Sequence, residues 1–208
     1  MLGRRYFLCW IVMLAGLVSA GCDEDGPDRP DGGGHGSDDI SMITPFVSGS
    51  DIASVNEAFS STDNAPWGFR HLGIDFFPAG QYKPFQAVAP GIVEAVELKQ
   101  NEVSSNWQVN VRIRANTTYG YEYAFEPMSA VAEDGTTQRA NIVVSVGQDV
   151  APGDLVGNLL VTGSDSHVDF GLLQNWTRIC PESYFTPEAR DSVLSVIHDD
   201  HPTWNMCY

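Results

Sequence analysis

The chain is short of positive charge, of cysteine and, beyond its first residues, of any long apolar run. It has 11 basic against 27 acidic residues in 208, and its only lysines are Lys83 and Lys99. Setting aside Arg4, Arg5, Arg29 and the seven acids that precede residue 42 leaves 8 and 20, a formal charge of −12 for the remainder. A nucleic-acid-binding surface and electrostatic attraction to anionic lipid or acidic polymer are thereby excluded. The scarcity of lysine also counts against a biotinyl- or lipoyl-carrier reading of the glycine-punctuated segments, which needs a modifiable lysine at a hairpin tip; neither Lys83 nor Lys99 has that setting.

The one apolar run, Tyr6 to Val18, is shorter than the about 20 residues a bilayer core requires. It follows Arg4 and Arg5 and closes on small residues, the layout of a secretory signal spanning 1–21. The ending "SAGC" resembles a bacterial lipobox, with Ser19 where leucine is usual, which makes Cys22 the expected lipidation point; an ordinary cleaved signal is the alternative. Residues 22–41 are rich in Gly, Asp and Pro with no periodic apolar positions, and read as an acidic flexible linker. Asp23 resembles a membrane-retention signal, and His35 sits among solvated residues without ligand company. This organisation predicts an exported, cell-envelope protein attached to membrane through a lipid anchor only.

Residues 42–208 are one domain's length. Of four cysteines only Cys180 and Cys207 fall in it, and in an exported domain two cysteines pair most economically as one disulfide. Segments such as "QAVAPGIVEAVEL", "NWQVNVRIRA", "GYEYAFEPM", "ANIVVSVGQDV", "DLVGNLLVTG" and "SHVDFGLL" are rich in Val, Ile, Tyr and Phe and bounded by Gly, Pro, Asn and Asp. They predict a mainly β fold, an antiparallel β-sandwich or barrel-like core. A single helix is expected near the C-terminus, with Thr186 as cap, Pro187 in the first turn, and Ala189, Val193, Leu194 and Ile197 on one face. "HDDHP", His198 to Pro202, reads as a solvated helix end, and "NTT" and "NWT" match glycosylation sequons that a bacterial lipoprotein would not use.

Two short stretches carry chemistry. In "WGFRHLGIDFF" an extended backbone puts His71, Gly73 and Asp75 on one face. In "SHVDFGL" the same alternation puts His167 and Asp169 together. Alone, an H-x-x-x-D pairing is a weak signal, for which a hydrogen-bonded His and Asp in a turn is the commoner explanation.

In order, "HLGID", "VAPGIVEAV", "VSVGQDVAPGDLVGNL" and "SHVDFGL" resemble the M23 metallopeptidases, the lysostaphin-like or LytM-type family, over roughly residues 65–185. The resemblance implies a zinc site with His71 and Asp75 as ligands and His167 as a catalytic histidine. Two departures stand out. Asp169 replaces the histidine expected as third ligand, which a metal tolerates, since carboxylate oxygen ligates zinc, but with less positive charge left to acidify water. The other catalytic histidine has no counterpart: Phe125 falls at its expected place, facing the site, and Glu126 would substitute only through a one-residue strand shift. The reading that follows is a cell-envelope metallopeptidase or peptidoglycan hydrolase relative with an altered zinc site, other divalent ions being compatible. The alternatives are a non-catalytic domain that binds wall peptides or activates a partner hydrolase, and a purely structural lipoprotein.

Overall fold

The computed structural model describes residues 39–208. The signal, Cys22 and most of the linker lie outside the described residues. Among the described residues no helix is long and apolar enough to cross a membrane.

The fold is mainly antiparallel β. Among the described residues ten strands form in chain order: β1 (Ile52–Val55), β2 (Ile74–Pro78), β3 (Lys83–Gln86), β4 (Gly91–Gln100), β5 (Trp107–Arg114), β6 (Tyr119–Ser129), β7 (Asp149–Val150), β8 (Leu155–Leu159), β9 (His167–Gln174) and β10 (Thr177–Ile179). Eight belong to one sheet, seven of them in the order β1-β2-β9-β6-β5-β4-β7 with β10 beside β9, while β3 and β8 pair as a separate ribbon. β2 and β10 share one edge of β9: β2 pairs with Val168–Phe170 and β10 with Leu172–Gln174.

Strict alternation sorts the two faces of the large sheet. Tyr121, Tyr123 and Phe125 of β6, Val109, Val111 and Ile113 of β5, and Val168, Phe170 and Leu172 of β9 are all fully buried. The β3–β8 ribbon closes over this face. Phe85 meets Phe125 edge-on at 5.8 Å, and the Tyr123 hydroxyl donates to the Gln86 carbonyl at 2.6 Å. The Tyr121 hydroxyl donates likewise to Ala89 at 2.6 Å, so both phenols that enter the core arrive with their polar ends satisfied.

Two α-helices form among the described residues. α1 (Ala132–Ala140) was not expected, because "AEDGTTQRA" has no apolar stripe. Its buried residues are Gly135, which lets the helix lie on Trp107, and Gln138, which accepts from the Leu160 amide and donates to the Asn158 carbonyl. A polar clamp thus stands in for the usual hydrophobic face. The stretch "ANIVVSVGQDV" correspondingly yields only an Ile142–Gly157 bridge and the short β7. α2 (Pro187–Asp200) begins as expected, with the Thr186 hydroxyl accepting from the Ala189 amide at 3.2 Å, and buries Ala189, Val193, Val196 and Ile197 against the core. His198 and its neighbours lie exposed at its end.

Cys180 and Cys207 form a disulfide, their Cα atoms 5.9 Å apart. It pins the tail beside the segment that leads into β2. Phe59 donates to the Met206 carbonyl, Tyr208 donates to the Phe59 carbonyl, and Ser60 and His71 exchange backbone hydrogen bonds.

Candidate metal centre

The face of the large sheet opposite the core carries the chemistry. Register places Asp75 opposite Asp169, Ala124 opposite Asp169 on the other side, and His167 opposite Glu126. Directly paired residues share a face, so Asp75, Asp169, His167 and Glu126 converge. His71, in an isolated bridge with Ser60 just before β2, completes the group.

His71, Asp75 and Asp169 each offer a ligand atom, and the three atoms lie within 4.8 Å of one another. His71 Nε2 is 3.3 Å from Asp75 Oδ1, and His167 Nε2 is 3.7 Å from Asp75 Oδ2 and 3.9 Å from Glu126 Oε2. Each imidazole is turned by a backbone carbonyl. Nδ1 of His71 lies 3.2 Å from the Ala58 oxygen and Nδ1 of His167 lies 2.7 Å from the Asp165 oxygen. A carbonyl can only accept, so both Nδ1 atoms carry hydrogen and both Nε2 atoms face the carboxylates.

Burial opposes charge on His71, but the adjacent Asp75 carboxylate and Asp169 outweigh it and push its pKa up to about 9. His167 is treated the same way: burial lowers its proton affinity, while Asp75, the Asp165 carbonyl, Glu126 and Asp169 raise it to a net upward shift. Glu126 is raised mainly by burial, with Asp169 and Asp75 adding to it. Burial also raises Asp169, against the pull of the Arg178 guanidinium.

Arg178 was not anticipated. It donates through Nη1 to both oxygens of Asp169, at 2.6 and 2.9 Å, and through Nε to Glu122 at 2.7 Å. In the β9–β10 hairpin Arg178 pairs with Leu173, and alternation along β9 puts it on the face of Asp169 and Gly171. Phe125 corrects a second expectation. It is fully buried on the core face and does not face the site, whereas Glu126 reaches the site with no strand shift. On this face β6 presents Glu122, Ala124 and Glu126, and no histidine.

Two depressions meet at the centre. A polar trough of about 410 Å³ crosses β4, β5 and β6, lined by Glu97, Lys99, Asn110, Arg112, Glu122 and Glu126, and ends at Asp169 and Arg178. A more apolar cavity of about 320 Å³ lies on the other side of His167 and Asp75, walled by Phe69, Phe77 and Met128 with Glu57 at its margin.

A divalent ion fits these residues. Asp75 Oδ1 is buried, and among the described residues its one close polar neighbour is His71 Nε2 at 3.3 Å, so this oxygen and the imidazole are placed to share a cation. Near it stand the acids Asp169, Glu126 and Glu122, with the Arg178 guanidinium held between Asp169 and Glu122. His71, Asp75 and Asp169 supply one nitrogen and carboxylate oxygens, a donor set that zinc accepts and that harder divalent ions also tolerate.

No protein-family model and no curated protein matches the chain. Solved structures resemble it in fold. A zinc containing peptidase from Vibrio cholerae is 17% identical with a TM-score of 0.47, the match covering 66% of this chain and 38% of that one. A mutant of the catalytic domain of the prophage-encoded M23 protein EnpA from Enterococcus faecalis is 20% identical with a TM-score of 0.46, covering 63% and 90%. The antimicrobial peptidase lysostaphin from Staphylococcus simulans is 16% identical with a TM-score of 0.45, covering 68% and 54%. The match thus spans well under half of the Vibrio cholerae protein and about half of lysostaphin. At these identities and TM-scores the likeness is one of fold alone.

Proposed function

We propose that this chain is a cell-envelope peptidase of the M23 type with an altered zinc site, acting on the peptide part of peptidoglycan. His71, Asp75 and Asp169 are its metal ligands and His167 its catalytic histidine. The carrying observation is the convergence of two imidazole Nε2 atoms, each fixed by a carbonyl at Nδ1, on the two oxygens of one buried aspartate. When bound, the ion supplies Lewis acidity toward a peptide carbonyl and toward water. His167 Nε2, between Asp75 and Glu126, is placed to hold or pass a proton, and Glu126 steadies its charged form. The trough across β4–β6 is polar and ends at Asp169, so it offers a peptide backbone hydrogen-bonding groups beside the metal ligands. The protein is exported and lipid-anchored through Cys22 in this reading, with wall peptides as its partners.

A second reading is supported by the absence of a histidine on the site face of β6 and by the engagement of both Asp169 oxygens with Arg178. Here the site binds wall peptides, or presents them to a partner hydrolase, without turnover. The deciding measurement is calorimetry and elemental analysis of the full chain, followed by a peptidoglycan digestion assay with the bound metal in place. About one ion per chain, lost in His71→Ala, together with release of peptide fragments that His167→Ala abolishes, supports the peptidase. Metal binding without fragments supports the binder, and no binding of zinc, manganese or calcium removes the metal-site reading.

A further inference from the structure

The β9–β10 hairpin delivers a cation into the site. Asn175 and Trp176 both have positive φ, 48° and 64°, the backbone of a two-residue type I′ connection. That turn fixes the pairing of Arg178 with Leu173, so Arg178 shares a face with Gly171 and Asp169. Gly73, just before β2, lies against the same guanidinium and the Asp169 carboxylate. Both glycines are needed bare. A Cβ on Gly171 would lie 2.7 Å from Arg178 Nε, and one on Gly73 would lie 2.8 Å from Arg178 Nη1 and on top of the Asp169 carboxylate. The two positions form a notch that the guanidinium and the carboxylate fill together.

We propose that Arg178 is a built-in competitor for the metal at Asp169: it occupies the carboxylate in the apo protein and must share or release it when a divalent ion binds. The proposal rests on the metal-site reading above. A partner that merely orients a ligand accepts or donates at its far atom and leaves the ligating atom basic. Arg178 instead donates from a single Nη1 to both Asp169 oxygens, and its Nε is anchored by Glu122, so no oxygen of Asp169 is left uncontacted by positive charge. Guanidinium does not deprotonate in proteins, so this competition persists at every working pH. The side chain is only 18% exposed, which limits screening by solvent. The site is accordingly built for weaker, reversible metal binding than the same ligands would give without Arg178.

The test is zinc titration of the full chain by calorimetry. Arg178→Gln should bind zinc at least about tenfold more tightly than wild type, and the gain should vanish when Asp169→Asn is added, since the competition runs through that carboxylate. Because Arg178→Gln strands Glu122, the Arg178→Gln/Glu122→Gln variant is measured beside it and should show the same gain. Arg178→Lys, which keeps the charge, should show none. Equal or weaker zinc affinity in either folded neutral variant overturns the proposal while leaving the metal site standing. Absence of zinc binding in wild type and variants alike overturns both.

Discussion

Asp75 and Asp169 stand directly opposite each other on β2 and β9, two carboxylates on adjacent positions of one antiparallel ladder. Like charges so placed weaken a sheet. Here the repulsion is offset by His71 at 3.3 Å from Asp75 and by Arg178 at 2.6 Å from Asp169. A sheet selected for stability alone would place an apolar or opposite-charge pair there. The arrangement is one that gains from a cation, and stability should report it.

Zinc should therefore raise the melting temperature. At a free concentration of about 100 times Kd, linkage contributes about 2.7 kcal/mol, which for a domain of this size is a rise of roughly 5–10 °C. His71→Ala and Asp75→Asn should lose most of the rise. A melting curve indifferent to zinc, manganese and calcium would count against the site.

The glycine notch predicts a cost with a named cause. Gly171→Ala drives a methyl into a guanidinium held at both ends, and Gly73→Ala drives one into the Asp169 carboxylate. Each should destabilise the protein by about 1–3 kcal/mol in urea denaturation, the range for forced overpacking. In the Arg178→Gln background the penalty of Gly171→Ala should shrink, because the group it strikes is shorter and uncharged.

How much of this was legible depends on where the information is stored. The period-2 alternation of β2 and β9 put Asp75, His167 and Asp169 on one face, because strand geometry decides it, whereas His71 lies before β2 and reaches the group through its bridge to Ser60 and the Ala58 carbonyl. The start and buried stripe of α2 were legible for the same local reason. Arg178 was not found, since its arrival depends on a turn in which Trp176 adopts positive φ, a conformation that no tryptophan signals. α1 was missed because it is held by Gln138 and a bare Gly135 in place of an apolar stripe. Phe125 was misplaced by one position, and in a strand one position is a whole face.

Removing the disulfide should loosen the site as well as the fold. The loop between Cys180 and Cys207 predicts a loss of about 3–4 kcal/mol for Cys207→Ser, by the chain-entropy account. The tail it secures is hydrogen-bonded to Phe59 and Ser61, and the same segment supplies the Ala58 carbonyl that orients His71. Zinc affinity should fall by about tenfold under conditions where the variant remains folded, the range for loss of a partner that orients a ligand. Unchanged affinity would show that His71 is positioned without the tail.

Two positions on β6 are candidates for restoring the missing second histidine, and substitution at them should give opposite outcomes. Phe125 is fully buried, edge-on to Phe85 and beside Tyr123. Phe125→His places an imidazole in that core with no polar partner, so it should cost about 3 kcal/mol or more in stability and leave hydrolysis unimproved. Glu126 pairs directly with His167 on the site face, with its carboxylate 3.9 Å from Nε2. Glu126→His sets a second proton-carrying ring beside the first without disturbing the core. A positioned acid or base contributes about 10²–10⁴ in rate, so even partial recovery should appear as a tenfold or larger increase in peptide fragments released from peptidoglycan by the zinc-loaded protein. If Glu126→His folds, binds zinc and wall peptide as the wild type does, and still releases no fragments, turnover is not limited by that missing group. The domain is then better read as a binder whose metal site organises the peptide surface.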